Sequence, residues 1–174
     1  MVKGGIPGTE APDCNNYSDC IKHVDPSVFP LQPHYTRDRH HLIHPVALLR
    51  DENILSSLQS IPAVIIISRE TGKIIWHLGS TVLAQQHHAT ELEDGLILTF
   101  DNGVYRHDES FPYSRVIQVD RATKQIVWQY REKNPMTLFN PFMGGAQRLA
   151  NGNTLITEAA NGRLLEITRE GGIV

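Results

Sequence analysis

The sequence predicts an all-β protein made of repeated antiparallel sheets of four strands, the architecture of β-propeller blades. Short apolar alternations separated by turn dipeptides fill residues 39–174, and no sustained helical period interrupts them. Segments at about 40–79, 87–130 and 144–174 also align with one another. Repetition of a four-stranded unit about every 45–55 residues is typical of propeller blades, so about three blades are predicted.

Each unit is predicted to have the same order of strands and turns. The first strand ends in a leucine in all of them: Leu49, Leu92 and Leu149. The tight turn that follows contains Asn151-Gly152 in the third unit, a dipeptide that tolerates the positive φ of a short hairpin. The fourth strand carries Trp76 and Trp128 at the same place in the first two units, and we expect these indoles to pack one blade against the next.

Residues 1–38 form a predicted irregular N-terminal arm, because glycine and proline occur there too often for a helix or a strand. Cys14 and Cys20 lie in this arm. Either they form a disulfide, which would indicate an oxidising compartment, or they are two free thiols in a polar segment. No further cysteine can complete a zinc site, so no metal is expected, and no cofactor is indicated.

The bulk properties argue against several classes of function. The formal net charge of −3 gives no basic surface for a nucleic acid, so none is expected as a partner. The longest apolar run, around Ala63–Ile67, is far too short to span a membrane. The start of the chain, MVKGGIPG, contains no apolar segment of the kind found in secretory signals.

The number of predicted blades bears on the assembly of the protein. Closed propellers have roughly 4–8 blades, so three cannot complete a ring. The sequence also stops at Val174, where the first two units place a tryptophan next. We therefore expect one of two arrangements: a fragment of a longer propeller, or a homo-oligomer in which two or more copies complete the ring.

The repeats also resemble a known family, the arylsulfotransferases. The resemblance covers about residues 42–174 and rests on three stretches: QHHATELEDGLILTFDNG, SRVIQVDRATKQIVWQY and GAQRLANGNTLITEAANGRLLEIT. It implies a six-bladed propeller in the periplasm or outside the cell. Such a propeller would pass sulfate from a phenolic sulfate ester to a phenol through a sulfohistidine, without a nucleotide donor.

His87 is the first candidate catalytic residue, because it matches the histidine of the family's QH motif and starts the innermost strand of its blade. An imidazole there could give a proton to a departing phenoxide and later accept one from the acceptor phenol. The alternative is a histidine that only bonds to the backbone at a strand start. The neighbouring His88 is expected to face the other way and to be structural.

Arg106 is the second candidate catalytic residue. It lies in the loop where the family pattern has its sulfate-binding arginine, and a guanidinium suits the oxygens of a sulfuryl group. It would offset the charge that builds on those oxygens during transfer. The alternative is a solvated loop arginine. His107 beside it is a weaker candidate.

Asn102, Arg115 and His44 are candidate substrate-binding residues. Asn102 belongs to an Asp-Asn-Gly turn that would aim the following loop. Arg115 closes the family's YSR motif, whose other reading is edge packing and turn bonding. His44 follows His40 and His41, and we expect His41 or His44 to reach the channel mouth; strand alternation weakens a joint metal site between them.

The nucleophile that the resemblance implies is missing from its expected place. The corresponding region offers Asn161, Gly162 and Arg163, and no histidine follows His107. Either that histidine lies in a further part of the protein, or this branch keeps the propeller and an anion site without transferase chemistry. The sequence thus supports an arylsulfotransferase-like enzyme, with a non-catalytic propeller for anion binding, protein binding or self-assembly as the alternative. A quinone-type redox site is disfavoured, because neither a vicinal cysteine pair nor a calcium-binding cluster is present.

Overall fold

A computed structural model describes residues 44–58, 62–106 and 108–174, and this part of the chain is almost entirely β. Blade A contains β1 (His44–Leu48), β2 (Ile54–Leu58), β3 (Ala63–Ile67) and β4 (Ile74–Leu78). Blade B contains β5 (Gln86–Glu91), β6 (Ile97–Asp101), β7 (Arg115–Val119) and β8 (Ile126–Tyr130). Blade C contains β9 (Gly145–Arg148), β10 (Thr154–Glu158) and β11 (Arg163–Ile167). A short 3-10 helix, Pro135–Thr137, lies between blades B and C.

The strands of each blade pair antiparallel in the order in which they follow along the chain. The predicted all-β fold of propeller blades is therefore confirmed. Blade C has three strands in a 3-stranded sheet, and a single bridge between Ile167 and Ile173 begins a fourth. The predicted N-terminal arm, with its two cysteines, lies outside the described residues, as do His40, His41 and His107.

The first hairpin turn has the same hydrogen bonds in every blade. The amide of Leu149 donates to the carbonyl of Asn153, and that of Gly152 donates to Leu149, at 2.8 and 3.0 Å. The Asn151 side chain accepts from the amide of Asn153, and Gly152 adopts a φ of +88°. Equivalent bonds close the turns after Leu49 and Leu92, so the repeat predicted from the leucines extends to individual bonds.

The core consists of two apolar layers between consecutive blades and a smaller cluster on blade A, formed by Ile54, Leu58, Ala63, Ile65 and Ile67. The layer between blades A and B contains Leu49, Leu55, Val64, Ile66, Leu78, Leu83, Ala89, Ile97, Ile117 and Val119. The layer between blades B and C contains Leu98, Phe100, Val116, Tyr130, Leu138, Ala146, Ile156, Leu165 and Ile167. Strand β6 serves both layers, because successive residues of a strand point to opposite faces. This explains why β6 has a nearly continuous apolar sequence.

Each tryptophan forms a hydrogen bond from its blade to the next one. The indole Nε1 of Trp76 in blade A donates to the carbonyl of Arg121 in blade B, at 2.8 Å. Trp128 in blade B makes the same bond, also at 2.8 Å, to the carbonyl of Arg169 in blade C. Both acceptors lie in the turn after the third strand of the next blade, so the two contacts are equivalent. The indoles thus join the blades by hydrogen bonds as well as by packing.

The variant Trp76→Phe is expected to remove this bond while it keeps most of the apolar contact. A hydrogen bond of this kind contributes about 0.5–1.5 kcal/mol, so the free energy of unfolding should fall by that amount. Urea titration of Trp76→Phe and of the matched Trp128→Phe would measure it. A wild-type unfolding midpoint in both variants would contradict the joining role.

No helix in the described part of the chain is long and apolar enough to cross a membrane.

Candidate functional site

The candidate site lies at the end of blade B where β5 begins, β6 ends and β7 begins. Two long connections meet there: the β6–β7 loop, residues 102–114, and the β8–β9 loop, residues 131–144. The corresponding β10–β11 connection of blade C is the short segment 159–162. Because the blades repeat, residues shared by blades B and C indicate the common framework. Residues found only in blade B indicate what is particular to it.

A β-bulge sets the direction of the first side chains of β5. His87 pairs with Phe100, whereas the next regular pair is Thr90 with Leu98, so β5 carries one extra residue. His88 adopts a φ of +53° within this bulge. Its Nδ1 lies 3.0 Å from the carbonyl oxygen of Ala146 in blade C, which gives His88 a contact between blades.

The same irregularity occurs in β1, where His44 pairs with Ser57 and the next pair is Ala47 with Leu55. His44 and His87 therefore occupy the same backbone position in blades A and B. In blade C this position is taken by Gly145, which pairs with Thr157. A Cβ on Gly145 would lie 3.1 Å from the ring of His88, so the glycine leaves room for that ring.

The imidazole of His87 is held by an asparagine. Its Nδ1 lies 2.6 Å from Oδ1 of Asn102, and only 4 % of His87 is exposed. The backbone of His87 is fixed as well, because its carbonyl oxygen accepts a hydrogen bond from Oγ1 of Thr99 at 2.9 Å. The histidine is thus buried at the start of the inner strand with a defined ring orientation.

Asn102 is fully buried, and its amide nitrogen is occupied. Nδ2 donates to the carbonyl oxygens of Asn140 and Met143, both at 2.7 Å. Since a carbonyl oxygen only accepts, the amide must point its nitrogen at the two carbonyls and its oxygen at His87. The sequence placed Asn102 among the substrate-binding candidates, and its side chain in the structure contacts the histidine and the main chain of the β8–β9 loop.

Asn140 is the centre of the polar contacts between this loop and the two blades, and sequence reasoning missed it. Its Nδ2 donates to the carbonyl oxygens of Phe142 and Met143, both at 3.0 Å. Its Oδ1 accepts from the amide of Ala160 in blade C at 2.7 Å. Its own amide donates to Oγ of Ser114, at 2.9 Å, and that hydroxyl donates to the carbonyl oxygen of Asn102. The only signal for it in the sequence is the unusual length of the loop.

Gly144 is required for this arrangement. It has a φ of +94°, and a Cβ there would lie 2.6 Å from Nδ2 of Asn140 and 3.0 Å from the ring of Phe100. Any other residue would push the Asn140 amide away from the carbonyls that it binds.

Asp101 and two arginines form a second cluster, on the side of the site that faces blade A. The Asp101 carboxylate is completely buried and accepts from Nε of Arg115 at 3.0 Å and from Nη2 of Arg106. Its other oxygen accepts from the amide of Ala84 at 2.8 Å. Arg115 also donates to the carbonyl oxygen of Val82, at 2.7 Å, and thereby holds the loop between blades A and B.

Blade C repeats part of this cluster. Glu158 and Arg163 stand at the places of Asp101 and Arg115 and form an ion pair of 2.6 Å. Arg163 also donates to a carbonyl of the preceding connection, as Arg115 does. The acid–arginine pair is therefore part of the common framework. Arg106 belongs to the β6–β7 loop, which is much shorter in blade C, and it adds a second guanidinium to a single carboxylate.

Arg106 is largely buried, with 10 % of its side chain exposed. Its Nε is buried and has no hydrogen-bond partner among the described residues. Its guanidinium carbon lies 5.0 Å from the ring centre of Tyr113, and Arg131 lies over the same ring at 4.7 Å. Burial and a hydrogen bond to Asp108 raise the pKa of Tyr113, so its phenol keeps its proton around neutral pH.

The site thus brings together His87 with Asn102 on the side of blade C, and Arg106 with Arg115 on the side of blade A. The adjacent residues Asp101 and Asn102 join the two sides. The structure gives the backbone position of His44 and does not describe its side chain. In the described ranges, no group of three His, Cys, Asp or Glu side chains could hold a metal ion.

The repeated antiparallel sheets and the apolar layers between them define a protein built of β-propeller blades. Residues 25–174 match the sequence profile of the family described as arylsulfotransferase (ASST). The chain belongs to the arylsulfotransferase family. A comparison with curated proteins found no significant match.

Two solved structures share the fold. A protein of unknown function from Bacteroides caccae matches with a TM-score of 0.55 and 17 % identity, over 76 % of this chain and 44 % of that one. A virginiamycin B lyase from Staphylococcus aureus matches with a TM-score of 0.54 and 16 % identity, over 77 % of this chain and 40 % of that one. This chain thus spans less than half of the length of either protein.

Proposed function

We propose that this chain supplies the anion-binding and proton-transferring part of an arylsulfotransferase that acts on phenolic sulfate esters. Its membership of the family gives the reaction class. The observation that carries the proposal is the difference between blades: His87, Asn102 and Arg106 occur in blade B, where blade C has Gly145, Ala159 and a short turn. These polar residues are not needed to build a blade, so another requirement accounts for them.

His87 would move the proton. In the first step a nucleophile forms a bond to sulfur, while the bond between sulfur and the aryl oxygen breaks and negative charge develops on that oxygen. Protonated His87 would give its Nε2 proton to this oxygen, and the phenol would depart neutral. In the return step the imidazole would accept the proton of the acceptor phenol, whose oxygen forms the new bond to sulfur as the bond between sulfur and the nucleophile breaks. Asn102 already holds Nδ1, so Nε2 is the nitrogen assigned to this exchange.

Arg106 would bind the sulfuryl oxygens. Asp101 offsets one of the two guanidinium groups beside it, so the cluster keeps one positive charge in a largely buried place. Charge-assisted hydrogen bonds from an arginine suit an oxyanion, and they strengthen as charge develops on it. The nucleophilic histidine that the family resemblance implies is not assigned to a residue of this chain.

Release of nitrophenolate from p-nitrophenyl sulfate in the presence of a phenol acceptor tests the proposal. We expect release that depends on the acceptor and on the protein concentration. Absence of release above that of a His87→Ala variant would refute the enzymatic function.

The variant Arg106→Ala is expected to lower kcat/KM for p-nitrophenyl sulfate, mainly by raising KM. A charge-assisted hydrogen bond contributes about 1.5–3 kcal/mol, which corresponds to roughly a 10- to 150-fold change. Initial rates over a range of ester concentrations would measure it. Arg169→Ala, which removes an exposed arginine side chain, is the control and should keep the wild-type KM. An unchanged KM in Arg106→Ala would remove Arg106 from the proposed sulfate site.

A second candidate function is a non-catalytic propeller domain that binds an anion or assembles with other copies. Blade C favours it, because Leu164 and Ile173 are 65 % and 58 % exposed. Exposed apolar side chains next to a sheet edge favour association. Light scattering should then give a multiple of the chain mass, whereas a monodisperse monomer would count against assembly.

A further inference from the structure

We infer that Asn102 is a positioning residue that keeps the hydrogen of the His87 imidazole on Nδ1, so that Nε2 is the reactive nitrogen. This inference rests on the proposed function for its consequence in catalysis. Its structural part, the choice of tautomer, can be measured without any turnover. It rests on three groups that lie together: the buried ring of His87, the buried amide of Asn102, and two main-chain carbonyls of the β8–β9 loop that the amide contacts.

The orientation of the Asn102 amide decides the tautomer. Two carbonyl oxygens, those of Asn140 and Met143, lie 2.7 Å from one atom of the amide, and only the nitrogen can donate to them. The other atom, which faces His87 at 2.6 Å, must therefore be the oxygen. An amide oxygen only accepts, so Nδ1 of His87 must carry the hydrogen. This holds for the neutral and for the protonated ring.

The amide cannot turn over at low cost. A flipped Asn102 would place its oxygen 2.7 Å from two carbonyl oxygens, which only accept, and would remove one donor from each of them. Each lost buried hydrogen bond costs about 1–3 kcal/mol, and three contacts would be lost together. Asn140 holds the two carbonyls in place through its bonds to Ser114 and Ala160. The β8–β9 loop therefore fixes the amide, and the amide fixes the ring.

The blades supply an internal comparison. Blade C has Ala159 at the place of Asn102 and Gly145 at the place of His87, so the asparagine and the histidine are both absent there. In blade C the corresponding connection, residues 159–162, has no asparagine at this place. Between blades B and C, the asparagine is thus present where the histidine is present and absent where it is absent. We therefore expect Asn102 to act through His87.

The consequence for the reaction concerns orientation. An imidazole that exchanged between tautomers would present a hydrogen at Nε2 for part of the time when a lone pair is required. A catalytic group misplaced by about 1 Å can cost about 10²-fold in rate. Asn102 touches neither substrate nor reacting atoms in this scheme, so its loss should lower kcat while KM changes little.

The test is nitrogen-15 NMR of the full chain with labelled histidine, with the signals of His87 identified by their loss in His87→Gln. At a pH where the ring is neutral, the wild type should show a protonated Nδ1 and an unprotonated Nε2. Asn102→Ala should lose this preference. Asn161→Ala removes an exposed amide from the equivalent connection of blade C and should match the wild type.

A neutral wild-type ring with its hydrogen on Nε2 would overturn the inference, and so would an unchanged preference in Asn102→Ala. If Asn102→Ala does not fold, the tautomer of the wild type decides the question, because the inference requires Nδ1–H there. Rates supply the second arm: a rise in KM at unchanged kcat in Asn102→Ala would also overturn it. Failure of the wild type to release nitrophenolate would refute the proposed function and leave the tautomer result standing.

Discussion

The variant His87→Ala is expected to lose about 10²- to 10⁴-fold in the rate of nitrophenolate release, the usual contribution of a positioned acid–base group. The reason is that His87 is buried with its ring held in one orientation, and no described side chain takes its place in the equivalent position of blade C. The measurement is the initial rate with p-nitrophenyl sulfate and a phenol acceptor, at saturating ester.

The control is His77→Ala. His77 lies on β4, the last strand of blade A, whereas His87 lies on β5, the first strand of blade B. The variant His77→Ala should retain the wild-type rate. A His87→Ala protein that is folded and as fast as the wild type would contradict both the acid–base role and the location of the site. A slow variant that regains rate with leaving groups better than nitrophenolate would further support proton transfer to the departing oxygen, because such groups need less protonation.

The variant Asp101→Ala is expected to be the most destabilising single change at the site, by about 3–5 kcal/mol, because it leaves charge uncompensated in the interior. Asp101 is completely buried; it forms ion pairs with Arg106 and Arg115 and accepts a hydrogen bond from the amide of Ala84. Without it, Arg106 and Arg115 lie side by side with no counter-ion. Urea unfolding followed by tryptophan fluorescence would measure the loss of free energy.

Asp51→Ala is the matched control for this second prediction. Asp51 pairs with Arg121 at 3.1 Å, but its side chain is 43 % exposed, and exposed pairs contribute only about 0–1 kcal/mol. A similar loss in the two variants would contradict the view that burial gives the Asp101 cluster its importance. A loss in Asp101→Ala that is rescued by the further change Arg106→Ala would identify the second guanidinium as the source of the strain.

Much of the fold could be predicted because the signals are local. The leucine that ends each first strand, the turn after it and the alternation along the strands depend on neighbours in sequence, and they are repeated. The pair Asp101 and Arg115 is not among the predictions, although the two residues stand opposite each other on adjacent strands. The tryptophans were predicted to join blades, although their hydrogen bonds to the turn of the next blade could not be read from the sequence.

The site was less accessible to prediction. The family resemblance indicates His87 and Arg106 as catalytic residues, and we propose the proton-transfer role of the first and the sulfate-binding role of the second. The contact between His87 and Asn102 depends on a bulge in β5 and on a loop of irregular conformation, and neither follows from residue propensities. Asn140 shows the difficulty most clearly, because a single asparagine in a long polar loop resembles any other until its partners in two blades are known.

The Asn140 contacts link chemistry at one blade to the folded state of its neighbour. The amide of Ala160 belongs to blade C, yet it holds the asparagine that keeps the blade B site in order. Local opening of blade C would release Asn140, then Asn102, and then the ring of His87, while blades A and B kept their own apolar layer. Opening of blade C before blades A and B would therefore disorder the site while most of the structure is kept.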